Sequence, residues 1–488
     1  ESLMSRLVVG PFNRVEGDLE VQLEVEDGRV RSAQVNATMF RGFEQILLQH
    51  APLDALVYAP RICGICSVSQ SIAAARALAS LAGVQPPDNG LLTINLMAAT
   101  ENLADHLTHF YLFFMPDFVR PAYAERPWYA AAQARFTPGQ GSQQRLAVSA
   151  RKRWLDLIGT LGGKWPHTGS IQPGGSTRAI DAAERLRLLT RVREFRQFLE
   201  TELFATPLER IVGLGSENEL WAWQAEAPGQ GDLRQFLDIT LDSGLEHLGP
   251  GPGLYLSYGA YPQPDGHMVF PQGLWNAATQ RVESLELADI SEDAAHAWLD
   301  DSGGPLHPAQ GQTEPLAEKP AAYTWNKAPR LAGAVLETGA LARQLIAGQP
   351  LLRDAVARCG ATVYTRVLAR LVELARVVPL MEQWLMALRP GEPYYRAAEL
   401  PDNGSAVGLT EAARGALGHW LRVEHGRIAS YQIIAPTTWN FSPRDAQGRP
   451  GALEQALEGA PVLPGEKTPV AVQHIVRSFD PCMVCTVH

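Results

Sequence analysis

Arg61-Ile62-Cys63-Gly64-Ile65-Cys66 near the start and Asp480-Pro481-Cys482-Met483-Val484-Cys485-Thr486-Val487-His488 at the end decide how this chain must fold. Four of its five cysteines lie in these two C-x-x-C pairs. Together the pairs supply four thiolates, enough to enclose a soft or borderline metal. Almost the whole polypeptide lies between them, so both segments must meet at the centre of the fold.

The chain has 488 residues, 46% of them hydrophobic and 19% charged. That composition fits a large globular protein with a substantial core. The formal net charge is -10, and no basic patch of the kind that binds nucleic acid stands out. No apolar run is long enough for a membrane span, and residues 2–9 are too short and polar for an export signal. The expected location is the cytoplasm. Five cysteines over this length do not make a disulfide framework. Cys359, the odd one, reads as a buried core thiol.

The expected fold class is α+β: a mostly helical core with peripheral β segments, both cysteine pairs meeting at a buried metal site. The alternation in Leu19-Glu20-Val21-Gln22-Leu23-Glu24-Val25, with Asp27-Gly28 behind it, predicts strands and a hairpin within 1–50. Helical spacing marks 67–81, 93–114 and 181–204 within a helical region 51–224. Residues 225–330 read as an excursion of small sheets and loops. Helices return from 331 to 388, 389–408 reads as loop, and 424–434 as a strand pair. The whole, 1–488, is expected to be one domain.

Taken alone, two C-x-x-C pairs allow a structural zinc staple or a redox or catalytic metal. The usual iron–sulfur ligand spacings are absent. Zinc staples normally join pairs tens of residues apart, and these pairs lie at opposite ends. The flanking residues narrow the choice. Arg14-Val15-Glu16-Gly17, Phe40-Arg41-Gly42-Phe43-Glu44, the two cysteine segments, Ala413-Arg414-Gly415-Ala416-Leu417-Gly418-His419-Trp420 and Pro436-Thr437-Thr438-Trp439-Asn440 occur in order along the chain. In this order they resemble the large subunit of nickel–iron hydrogenases.

The resemblance implies heterolytic cleavage of dihydrogen at a Ni-Fe centre whose iron carries carbon monoxide and cyanide. It makes Cys63 and Cys482 terminal nickel ligands, and Cys66 and Cys485 bridges to iron. Thiolates are soft donors with lone pairs for two metals, which suits such a centre. Glu16 is the implied proton relay. Arg414 would overhang the open metal position, with Asp117 and Asp480 as its acids, and Pro436, Thr437 and Arg414 would surround the diatomic ligands. Glu44, His488 and the Ile433 carbonyl would hold Mg2+ or a similar hard cation. Electrons would pass to Fe-S clusters in a small partner subunit, because the one cysteine this chain has left, Cys359, is too few to bind them.

Several positions depart from the common family pattern. Gln70 stands where a histidine is usual, Ala413 where proline is, Asp18 where histidine is, Ile65 where valine is and Phe113 where leucine is. In the family Ile65 and Phe113 lie where the gas tunnel meets the metals, and their bulk would slow dioxygen more than dihydrogen. Together these departures resemble the hydrogen-sensing, regulatory subgroup, whose slow turnover would signal to a histidine kinase. The alternative is an energy-conserving uptake hydrogenase, and the remote one a zinc-stapled structural protein.

Overall fold

The computed structural model describes residues 4–488. Residues 1–3, where the 2–9 stretch begins, lie outside the described residues.

The chain opens with an antiparallel sheet of β1 (Met4–Val9), β2 (Leu19–Glu26) and β3 (Arg29–Ala37), in that order. Alternate residues of β2 are buried, as its pattern of apolar and polar residues requires. The first cysteine pair follows, and α1 (Ser67–Ala82) starts immediately after Cys66. It is rich in Ala and Ser and almost wholly buried along its first three turns. Gly83, in the left-handed region at φ 66°, ends it. Next comes α2 (Asp88–Thr108), which widens into a π turn over His109–Phe114 and tightens into a 3-10 turn over Met115–Val119. The expected single helix 93–114 is therefore two geometries in series. α3 (Ala182–Phe198) begins with a capping box between Asp181 and Glu184.

The excursion 225–330 is not all sheet and loop, because α4 (Asp232–Ser243) lies inside it. Its apolar residues recur at helical spacing, which the surrounding Pro and Gly obscure. β4 (Leu254–Ser257), β5 (Gly273–Asn276), β6 (Arg281–Glu283) and β7 (Glu337–Thr338) form a sheet in the order β6-β5-β4-β7, with only β4 and β7 parallel. α5 (Ala340–Ala347) and the long α6 (Val363–Ala387) follow. α6 starts at the Thr362 cap, is buried along most of its length and packs on α2, α3 and α5.

One expectation fails next. The loop expected over 389–408 gives way at Gly404 to a strand that runs to Ala412, and the motif from Ala413 to Trp420 is a turn running into another strand. β8 (Gly404–Ala412), β9 (Gly415–Glu424) and β10 (Arg427–Ile434) form one antiparallel sheet. The small residues at 404–408 and 412–416 carry little strand propensity, yet they let this sheet lie directly on α1. A methyl group on Gly408 would overlap the Ala73 carbonyl oxygen and the Ala77 nitrogen of α1. Backbone stands on both sides, so neither can yield. Gly408→Ala is expected to destabilise the protein by about 3 kcal/mol or more, read as a lowered midpoint in thermal unfolding. An unchanged midpoint would show that the sheet shifts freely on α1.

α7 (Val470–Ser478) leads into the terminal cysteine segment. One apolar core contains residues from Val9 to Val487 and includes Cys63, Cys66, Cys482 and Cys485. Among the described residues no helix is long and apolar enough to cross a membrane.

Candidate metal centre

Cys63 and Cys66 follow a short 3-10 turn (Ala59–Arg61); Cys482 directly precedes a single helical turn (Met483–Thr486) and Cys485 lies within it. Backbone pairing brings these segments together. Glu16 bridges Cys482 in parallel, and the Met483 N–H donates to the Glu16 carbonyl at 2.8 Å. The Phe43 N–H donates to the His488 carbonyl at 2.9 Å. Arg41, to which the sequence reading assigned no task, donates to the carbonyls of Ile62 and Val484, each at 2.6 Å. One guanidinium therefore holds the residue before Cys63 and a residue between the two terminal cysteines.

The four Sγ atoms lie within 4.8 Å of one another, and all four residues are buried. Each front cysteine faces one terminal cysteine: Cys63 to Cys482 at 3.5 Å and Cys66 to Cys485 at 2.8 Å, with Cys482 3.0 Å from Cys485. Burial pushes the thiols of Cys63 and Cys66 well up, and hydrogen bonding with Cys482 adds to it. Burial works the same way on Cys482, but hydrogen bonds from the other three thiols and the Arg414 charge overcome it and hold that thiol well down. Four thiolates crowded in this space need bound cations to be ionised together. The donor set is soft and the surroundings dry, so these residues fit a nickel-containing centre.

Arg414 stands at the turn between β8 and β9. Its Nε donates to the Asp480 carbonyl at 2.7 Å and its Nη2 to Asp480 Oδ1 at 3.1 Å. Its second carboxylate is Asp105 of α2, with Nη1 3.1 Å from Oδ1. The expected partner Asp117 is elsewhere. It pairs with Arg477 at 2.8 Å, Arg120 at 3.0 Å and Arg14. Burial opposes its ionisation, but Arg477 and Arg14 hold its carboxyl below the usual range. Asp117 thus ties the segment carrying Glu16 to α7 and does not face the metal site. Beside the guanidinium the two acids hydrogen-bond each other: burial lifts the Asp105 carboxyl well above its usual range, while against burial Arg414 holds that of Asp480 well below.

Glu16 is about half buried. Burial, and behind it Cys482, lifts its carboxyl above the ordinary carboxylate range, against the pull of Arg414 and Arg41. Thr437 accepts a hydrogen bond from the Cys482 N–H at 3.1 Å, which leaves its hydroxyl hydrogen to donate. Pro436 opens the helical turn carrying Thr437 (Pro436–Asn440), where its missing N–H costs nothing.

At the carboxyl end, His488 Nε2 lies 3.4 Å from Glu44 Oε1. Ile433 meets Glu44 through its N–H, at 2.8 Å. The sequence reading missed Lys327, whose ammonium lies 3.0 Å from Glu44, 2.6 Å from Glu292 and 3.0 Å from Gln432 Oε1. Burial opposes the Glu44 charge, and Lys327 and His488 hold the carboxyl well below its usual range.

Gln70 accepts from His419 Nε2 at 2.7 Å, and Tyr431 bonds the other ring nitrogen. Ile65 is partly buried against the core. Phe113 lies in the π turn, and its carbonyl accepts from Arg14 at 2.6 Å. Cys359 is half-buried, not enclosed as expected. It lies at the end of a helix (Pro350–Cys359), and burial lifts its thiol to about 11.

A buried cluster of four cysteines from opposite chain ends, with an arginine held between two acids beside it, defines a metalloprotein with a soft-metal centre. The nickel-dependent hydrogenase family profile matches residues 41–138 and 243–488. The large subunit of the periplasmic NiFeSe hydrogenase of Desulfomicrobium baculatum is 32% identical, over 99% of this chain and 95% of that protein. The uptake hydrogenase large subunit of Rhodobacter capsulatus is 28% identical, over 99% and 95%. A solved D. baculatum NiFeSe hydrogenase structure superposes with a TM-score of 0.85 at 30% identity, covering 99% of this chain and 100% of that one. The chain belongs to the nickel-dependent hydrogenase family. It is a hydrogenase large subunit and an enzyme of dihydrogen oxidation.

Proposed function

We propose that this is the large subunit of an uptake-type hydrogenase that cleaves dihydrogen heterolytically and passes the electrons to a small Fe-S subunit. The observation that carries this is the four-cysteine cluster with Arg414 beside it and Glu16 bridged to Cys482. The names of the relatives, periplasmic and uptake hydrogenases, support oxidation for energy over sensing.

In this reading Cys63, Cys66, Cys482 and Cys485 would together hold the Ni-Fe centre. When bound, the Ni-Fe centre, with CO and CN on iron, supplies the Lewis acidity that polarises dihydrogen. The chain's residues do the rest. Glu16 accepts a proton at its carboxylate and carries it outward. Arg414, fixed by Asp105 and Asp480, presents a cation in a dry site, where charge acts strongly. Thr437 after Pro436, with Arg414, donates hydrogen bonds to the diatomic ligands. Glu44, His488 and the Ile433 carbonyl would hold Mg2+ or a similar hard cation, beside Lys327, which pairs with Glu44 and Glu292.

The second reading is a hydrogen sensor acting with a cytoplasmic histidine kinase. The Gln70–His419 bond favours it, because an amide takes the place of a titratable ring one helical turn beyond Cys66. Hydrogen-driven dye reduction by the large–small complex, with and without trace dioxygen, separates the two. Fast turnover that collapses in dioxygen is expected for an uptake enzyme. Slow turnover indifferent to dioxygen supports the sensor, and Ile65→Val with Phe113→Leu then makes activity dioxygen-sensitive.

A further inference from the structure

The guanidinium of Arg414 stands where the tight turn between β8 and β9 places it. Gly415, at φ +131°, closes that turn, and any side chain there would overlap Thr338 of β7. On one flank Thr338 Oγ1 accepts the Ala416 N–H at 2.8 Å. On the other flank is Arg343 of α5. Its Nη1 donates to the Ala412 carbonyl at 2.8 Å and its Nη2 to the Ala413 carbonyl at 2.9 Å. The same guanidinium grips Glu373 of α6 with two bonds of 2.8 Å and reaches Glu411 at 3.1 Å. Five N–H groups thus meet five acceptors, the full capacity of an arginine. Arg343, Glu373 and Glu411 are all buried.

Glu373 has one further contact. His106 of α2 bonds its Oε2 through Nε2. His106 directly follows Asp105, the carboxylate beside Arg414. One ion pair is therefore bonded to the residue before Arg414 and to the residue after Asp105.

We propose that Arg343 and Glu373 are positioning residues that set the distance between Arg414 and Asp105. This rests on the role given to Arg414 above. The physical case has two parts. A buried ion pair seldom stabilises a fold more than apolar residues of the same volume, so stability alone is a poor reason for a fully saturated one here. A fork with two planar arms does what apolar packing cannot, because it holds two carbonyls and a carboxylate at fixed angles. Displacements of about 1 Å at a reacting group cost on the order of 10²-fold in rate, which makes such a frame worth keeping.

The test uses the intact large–small complex carrying Arg343→Lys, Glu373→Gln or His106→Asn, with Arg414→Lys as reference. Lysine keeps the charge but cannot span the two carbonyls and both Glu373 oxygens. Glutamine keeps the shape of Glu373 but accepts only through one oxygen. The expected result is a kcat about 10- to 100-fold lower, with KM for dihydrogen and nickel content unchanged. The nickel electron paramagnetic resonance signal should shift in the direction seen for Arg414→Lys. His106→Asn loosens only the Asp105 side, so its shift should be smaller. Three outcomes overturn the proposal. In the first, Arg343→Lys and Glu373→Gln keep full kcat and an unshifted signal while Arg414→Lys does not. In the second, both variants lose nickel in proportion to activity, which makes the pair merely structural. In the third, Arg414→Lys itself has no effect, and the reading of Arg414 falls with the inference.

Discussion

A complex carrying Glu16→Gln is expected to retain its nickel and to lose hydrogen–deuterium exchange, with turnover down by about 10²- to 10⁴-fold. The size follows from what glutamine removes. Glu16 is joined to the terminal segment through its backbone, by the bridge to Cys482 and the bond from the Met483 N–H. Those contacts survive the substitution, so the metal site should assemble. What disappears is the ability to take a proton at the side-chain oxygen. That carboxyl is suited to the task because burial and Cys482 lift it above the range of a surface glutamate, toward the pH at which it both accepts and releases a proton. It is also half buried, between the dry cluster and the outside. Exchange at the rate of the unchanged protein would remove Glu16 from the proton path.

The second large effect is expected from Cys482→Ser. Its thiol is the one held well below the ordinary range, by the other three thiols and Arg414 acting against burial. It lies 3.5 Å from Cys63 and 3.0 Å from Cys485. A serine hydroxyl is hard, stays protonated and offers no comparable bond to nickel. The variant should lose most of its nickel by elemental analysis, and hydrogen oxidation with it. Cys359→Ser is the control, because that thiol bonds groups around its own helix end and is none of the four clustered thiols. It should keep both nickel and activity. Nickel retained at the original content in Cys482→Ser would show that the cluster is not the metal site.

Much of the centre was legible because the residues that bind soft metal are rare and come with distinctive neighbours. The assignment of carboxylates was not. Asp105 and Asp117 lie on one continuous stretch, and either is a reasonable partner for Arg414 from the sequence. The π turn at His109–Phe114 and the 3-10 turn at Met115–Val119 change the helical phase between them. A count at 3.6 residues per turn therefore fails across it. Arg343 and Lys327 went unnoticed for a different reason, since a charged residue in an amphipathic pattern normally reads as solvated. One signal was available: Arg366, Arg370 and Glu373 recur on one side of α6 amid apolar residues, and all are buried. Buried charges at that spacing imply partners, and Glu337, Ser478 and Arg343 supply them.

The amino-acid sequence by itself determined the four ligand-bearing cysteines, the requirement that both chain ends meet, the α+β class and the family. These follow from residue chemistry and from ordered local patterns, which need no coordinates. Tertiary structure alone decided which acid faces Arg414, that Arg41 clamps both cysteine segments, and that an ion pair from α5 and α6 frames the turn beside the metal. Each of these joins residues far apart in the chain through a single buried polar contact. Such contacts depend on helix phase and on how closely the small residues of α1 let β8 approach. Beyond the recurring charges of α6, they leave no periodic trace in the sequence.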